Sequence, residues 1–310
     1  MLEKIEKIID VHQHIFPDFY VKALKNLGIT NVGGVPFPKW SEKAALKMMD
    51  AQGINKAFVS FSMPGVYFKD DQFSRELARK CNEYMAEMKL KYPTRFGGFA
   101  ALPLPDVDGA LKELEYAMDT LNLDGVGLLS NVDGVYPAAE KYRDLFSELN
   151  RRESVIFIHP NNSPSKLTTG LHNILYGWFI ETSKVVMEIA KTGFVTDFPR
   201  ICYILAHAGG VYPAFPHLLK ELKDPILKGN FFFDTAKSVD SHTLNLLLSV
   251  VEVNRVFFGS DFPLANKMKI KYWLKGLVDY FDGRENDLID IFSNNVRSVF
   301  PNINSNSKEI

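Results

Sequence analysis

The chain has 310 residues, with 36 Lys+Arg against 37 Asp+Glu and a net charge of −1. That balance excludes the basic excess of a general nucleic-acid binder and leaves no strong field for steering a highly charged partner. An apolar fraction of 46%, with 24 Phe, 12 Tyr and 3 Trp, excludes disorder as the main state, because burying that surface offsets chain entropy.

This length suits two average domains or a single α/β barrel. Short β-rich runs cover 8–14, 56–62, 96–101, 125–129, 155–159, 201–207, 231–234 and 256–260. Between them, 41–52, 73–92, 109–121, 142–151 and 182–192 carry apolar residues at helical spacing, as in Leu77, Cys81, Tyr84, Met85 and Met88. Strands alternating with helices predict parallel βαβ units, and eight units are the count of a (β/α)8 TIM barrel. An open doubly wound sheet is the rival. It would carry a Gly-rich phosphate turn after its first strand, where this chain has histidines, and the same lack argues against NAD and ATP. The connections 16–39 and 160–181 are too long for simple turns and are predicted as extended loops after strands 1 and 5, over the barrel mouth. No repeat or low-complexity linker divides the chain. One domain over 1–302 and a disordered polar tail over 303–310 are expected. No apolar run approaches the ~20 residues that span a bilayer, and MLEKIEKIID lacks the apolar core of a signal peptide. Cys81 and Cys202 are expected as buried reduced thiols, and the location as cytoplasmic.

Four of the seven histidines fall at predicted strand ends: His12 and His14 after strand 1, His159 after strand 5 and His207 after strand 6. Asp261 follows strand 8. In a barrel these ends converge on one face. Residues two apart on a strand share a side, so His12 and His14 can reach a single ion. Imidazole and carboxylate donors suit Zn²⁺, Mn²⁺ or Fe²⁺ better than Ca²⁺ or Mg²⁺, and three His with one Asp and a water would complete a site. His172 lies in the long loop after strand 5 and reads as a lid or surface residue rather than a ligand. His217 and His242 fall on predicted helices and read as structural.

The segments DVHQHIFP, FIHP, AHAGG and GSDFP, in that order, resemble the metal-dependent amidohydrolase superfamily, over roughly residues 8–300. The branch resembled is the 2-amino-3-carboxymuconate-6-semialdehyde decarboxylase-like one. WSEKAALKMMDAQGI, SMPGVYF, FAALPLPDVDGAL and GVGLLSN look most like its 6-methylsalicylate decarboxylase-type members. The resemblance implies that His12, His14, His159 and Asp261 bind one divalent ion, Zn²⁺ first and Mn²⁺ second. It also implies that His207 is an acid/base rather than a ligand, with Asp261 sharing the catalytic work. Binuclear branches use a lysine after strand 4. Here that strand ends GVGLLSN, which implies one metal.

The implied activity is non-oxidative decarboxylation of a small aromatic or conjugated carboxylic acid, using a metal-bound water and the histidine. Hydrolysis of an amide or lactone by the same machinery is the alternative. Trp40, Tyr67, Trp178 and Lys184 are the expected substrate contacts. Phe16, Tyr20, Met63 and Phe262 add apolar surface near the mouth, and Asn131 and Asn161 add polar groups. The sequence departs from the branch at Ala45, where the aminocarboxymuconate enzymes carry a substrate-binding arginine. Lys184 stands in a region where salicylate-type relatives carry arginine. The branch further implies a homodimer, with no nucleic-acid or membrane partner.

Overall fold

The computed structural model describes residues 7–164, 177–215 and 230–301. Eight parallel strands follow one another in chain order around a barrel: β1 (Ile8–His14), β2 (Ile54–Ser60), β3 (Phe96–Ala101), β4 (Gly125–Leu129), β5 (Val155–His159), β6 (Cys202–Leu205), β7 (Asn230–Asp234) and β8 (Val256–Phe257). The seam between first and last strands is joined by backbone bonds. Val11 N donates to Phe258 O at 3.0 Å, Asp261 N to His12 O at 2.8 Å and His14 N to Phe262 O at 2.7 Å. This is the (β/α)8 barrel expected from the alternation of runs.

The helices begin and end where local chemistry dictates. α1 (Asp18–Asn26) and a small hairpin (Asn31–Val32 with Val35–Pro36) occupy the extended loop after β1. The Tyr20 hydroxyl donates to Gly65 O at 2.7 Å and ties that loop to the one after β2. α2 (Glu42–Gln52) starts on Ser41, whose hydroxyl accepts from Ala44 N, and stops at left-handed Gly53. α3 (Asp71–Lys91) is capped by Asp70 and α4 (Val107–Glu115) by Asp106. They are followed by α5 (Arg143–Arg151), α6 (Gly177–Lys191), α7 (Phe194–Asp197), α8 (Ser241–Leu248) and α9 (Lys267–Tyr280). Their apolar faces and the outward strand residues form the larger core. Ala45 is buried in it on α2, so the position where the family arginine was expected faces packed hydrocarbon.

A second cluster, including Ile9, Val11, Phe58, Phe99, Phe157, Ile204 and Phe257, packs apart from the first and fills the barrel. Phe300 stacks on Phe58 at 4.2 Å. Asn295 holds the carbonyls of Val253 and Val256 where β8 begins, so the C-terminal segment covers the strands' N-terminal end.

β1 carries the feature that makes the site. Asp10 pairs with Ala57 but Gln13 pairs with Val59, so β1 has one residue more than β2 across the same span. This bulge switches which residues face inward. Ile9 and Val11 belong to the barrel filling below it, and His12 and His14 reach the interior above it.

Several element limits differ from the sequence reading. β6 ends at Leu205 rather than 207, because His207, Ala208, Gly209 and Gly210 all take positive φ (56°, 56°, 74° and 75°), which breaks an extended chain. β2 runs 54–60 rather than 56–62, and β8 is two residues long because its continuation pairs irregularly with β1. α6 begins at Gly177, so the connection after β5 is shorter than 160–181. His172, His217 and the tail at 303–310 lie outside the described residues. Cys81 is buried, but Cys202 is only partly so, since it sits at the start of β6. His242 is exposed on α8. No described helix is long and apolar enough to cross a membrane.

Candidate metal centre

His12, His14, His159 and Asp261 meet at the C-terminal ends of the strands. All four are buried, each offers one donor atom, and those atoms lie within 4.8 Å of one another. His12 Nε2 is 3.0 Å from His14 Nε2. Asp261 Oδ1 lies 3.4 Å from the first and 3.2 Å from the second. Donors bonded at ~2.0–2.1 Å around a tetrahedral ion stand ~3.3 Å apart, so these separations fit a single cation. The hydrogen bonding fits as well. Among the described residues, neither ring nitrogen of buried His159 has a hydrogen-bond partner, an arrangement that costs free energy unless something else takes the lone pair.

Neighbouring groups fix the orientation of each imidazole. Asp234, at the end of β7, accepts from His12 Nδ1 at 2.7 Å, which places that ring's proton away from the cluster and leaves Nε2 facing it. The Ser60 hydroxyl stands 3.1 Å from His14 Nδ1. Burial pushes the His14 pKa down to about 4, and it holds His159 well below the usual range, with His14 and His12 adding to the effect. Both are thus neutral and able to ligate at neutral pH. For Asp261, burial favours the protonated form, but the Lys237 ammonium and the neighbouring imidazoles outweigh it and keep the carboxyl well below its ordinary value.

His207 stands beside this group. Its Nε2 is 3.8 Å from Asp261 Oδ2, and its ring lies 5.1 Å from that of His12 and 5.7 Å from that of His159. Its backbone N–H donates to Asp234 Oδ1 at 3.0 Å, so one carboxylate orients both His12 and His207. Among the described residues neither ring nitrogen finds a hydrogen-bond partner, and burial lowers its pKa. The positive φ of His207, a non-glycine residue, marks strain of the kind stored at functional sites. Gly210 makes the turn feasible: a Cβ there would lie 2.0 Å from Phe179 O.

The expected substrate contacts divide. Trp178, at the start of α6, is at the site, with its ring 4.8 Å from the Lys237 ammonium. Trp40 instead packs on Tyr84 of α3, with ring centres 6.2 Å apart. Tyr67 is half-buried and lines a cavity with Leu27, Ile29, Phe68, Lys69 and Asp133. Lys184 is 41% exposed and spent on the buried Glu181 carboxylate at 2.7 Å, which also accepts from Asn131 and Tyr136. The cation at the centre is Lys237, paired with Asp261 Oδ2. Sequence reasoning passes over Asp234, Lys237 and Phe179, whose ring lies 5.6 Å from His207. Asp234 ends β7 by the same rule that singles out the histidines, and Lys237 follows three residues later.

The family model described as "Amidohydrolase" matches residues 9–301. The chain belongs to the amidohydrolase family. It is 32% identical over 295 residues to the decarboxylase yanB of Aspergillus niger, covering 86% of this chain and 80% of that one. It is 31% identical over 276 residues to the 6-methylsalicylic acid decarboxylase of Penicillium expansum, covering 83% and 85%. Among solved structures, an amidohydrolase II superposes with a TM-score of 0.90 at 25% identity, over 95% of this chain and 100% of that one. A dihydroxybenzoic acid decarboxylase from Polaromonas sp. JS666, with bound manganese and the inhibitor 2-nitroresorcinol, gives 0.81 at 20% identity over 96% and 97%. This amidohydrolase falls in the decarboxylase-like branch and is an enzyme of the metal-dependent carboxy-lyase or hydrolase kind.

Proposed function

We propose that this amidohydrolase is a metal-dependent, non-oxidative decarboxylase of a small aromatic carboxylic acid, and that residues 1–302 act as one catalytic domain. The observation that carries the reading is the preformed set of four buried donors within 4.8 Å, with His207 beside it. The decarboxylase relatives at 31–32% identity support it. His12, His14, His159 and Asp261 would hold one divalent ion, with Zn²⁺ favoured by the imidazole-rich donor set and Mn²⁺ the other candidate. When bound, such an ion supplies Lewis-acid polarisation of the substrate's oxygen atoms.

Decarboxylation breaks the bond from ring carbon to carboxylate carbon, releases CO₂, and forms a C–H bond in its place. The site must therefore deliver one proton. His207 is the proposed group for that transfer, being within reach of the cluster and held by Asp234 through its backbone. Asp261 contributes a fixed negative charge beside it. Trp178 and Phe179 supply aromatic faces for a planar ring. Tyr67 also lines a second, apolar cavity with Phe61, Leu102 and Leu129, from which it is proposed to contact the substrate's apolar edge. A panel of 2-hydroxybenzoates assayed for CO₂, beside lactones and amides assayed for hydrolysis, tests the reading. Release of CO₂ from at least one acid is expected, and turnover of lactones or amides alone would overturn it. A homodimer and a cytoplasmic location belong to the same proposal, checked by light scattering and by fractionation.

A further inference from the structure

We propose that Lys237 and Trp178 form an anion-and-ring clamp at the rim of the centre, and that the clamp selects a planar aromatic ligand by its carboxylate. The inference rests on reading this site as one for an aromatic acid. Among the described residues, Lys237 is the one cationic side chain that reaches the cluster, where its ammonium meets Asp261 Oδ2. The opposite oxygen, Oδ1, faces His12 and His14. Lys237 therefore lies on the side of Asp261 away from the donor set. Its side chain is 23% exposed, whereas those of His12, His14 and Asp261 are 0% exposed.

Three further observations point to a ligand. First, Lys237 has φ 58°, a left-handed conformation that is strained for a residue with a Cβ. A glycine would turn the chain there more cheaply and could offer no ammonium. Second, Trp178 is 5% exposed, and its indole N–H, sealed from water, has no hydrogen-bond partner among the described residues. An unmatched donor beside a cation suits an anionic oxygen. Third, the ring is walled into place. A Cβ on Gly33, in the hairpin after β1, would lie 2.4 Å from the Trp178 ring. The hairpin thus presses one part of the indole while Lys237 sits over the ring. The lysine stem is flexible and its ammonium has three donors, so it can reach a ligand carboxylate while still facing Asp261.

The test compares salicylate with phenol, which keeps the ring and hydroxyl and lacks the carboxylate. Binding of each to the metal-loaded full chain is measured by calorimetry, with metal content and melting temperature recorded alongside. Lys237→Met is expected to weaken salicylate about 10–100-fold and phenol less than about threefold, the loss of one charge-assisted contact, with metal content unchanged. Lys237→Arg is expected to recover part of the salicylate loss. Equal losses for both ligands, loss of metal, or unchanged salicylate affinity would each overturn the clamp. Should Lys237→Met not fold, Lys237→Gln carries the same comparison. Failure of wild type to bind salicylate or any other 2-hydroxybenzoate also overturns it. Because binding is read without turnover, a protein that holds salicylate through Lys237 yet releases no CO₂ refutes the decarboxylase reading alone. A decarboxylase whose salicylate affinity ignores Lys237→Met refutes the clamp alone.

Discussion

Asp234→Asn separates the orientation of the proposed ligands from their presence. The wild-type carboxylate makes three contacts: Oδ2 accepts from His12 Nδ1 at 2.7 Å, and Oδ1 accepts from the backbone N–H of His207 at 3.0 Å and of Ala236 at 2.9 Å. Asparagine keeps one oxygen, which can serve the two backbone donors. It must then present its amide N–H₂ to His12. The His12 ring answers by accepting at Nδ1 and carrying its proton on Nε2, the atom 3.0 Å from His14 Nε2. A protonated Nε2 cannot ligate. The expected result is a folded protein whose metal affinity falls about 10–100-fold, the usual effect of losing such an outer partner. Asp234→Ala goes further. It strands two buried backbone donors at roughly 1–3 kcal/mol each, so it should also lower the melting temperature. The assay is competition against a chelator of known affinity, with circular dichroism reporting the fold. Wild-type metal affinity in a folded Asp234→Asn protein would refute the reasoning.

Other expectations follow from the same geometry. His12→Ala and Asp261→Ala should each lower bound metal in unchelated protein to a small fraction of wild type by elemental analysis, and normal content in both would falsify the ligand assignment. His207→Asn should retain the metal and the fold while turnover drops ~10²–10⁴-fold, and loss of metal instead would move His207 into the coordination set. Away from the site, the hydrogen bond from Arg151, with Arg152 adding, holds the Glu148 carboxyl down from its ordinary 4.5 to about 2. A depressed folded pKa stabilises the protein above pH 4.5, and that contribution is lost as pH falls toward 2. Glu148→Gln should flatten the pH dependence of unfolding in that window by on the order of 1 kcal/mol, allowing for solvent screening. An unchanged acid limb would contradict it.

Much of this was legible in the sequence, for a specific reason. Parallel strands buried on both faces read as short apolar runs, and a barrel brings every strand end to one face. The positions of His12, His14, His159, His207 and Asp261 therefore carried spatial information without any contact being known. What the sequence hid depends on partners. The β1 bulge exists only relative to β2. The left-handed run at 207–210 shows in sequence only as two glycines, with nothing to mark His207 itself. Lys184, expected as a substrate contact, pairs with Glu181, a counter-ion marked out by its burial, although the i,i+3 spacing is there to see. Trp40 packs on Tyr84 of α3, a contact between distant parts of the chain that no local pattern announces.

The most direct test of the centre is anomalous X-ray diffraction from crystals of the chain loaded with Zn²⁺ or Mn²⁺, recorded at the absorption edge of the metal used. One peak per chain is expected, bonded by His12, His14, His159 and Asp261 at about 2.0–2.3 Å, with His207 outside bonding distance. No peak among those residues, or a peak held by other side chains, would contradict the assignment on which the proposed chemistry stands.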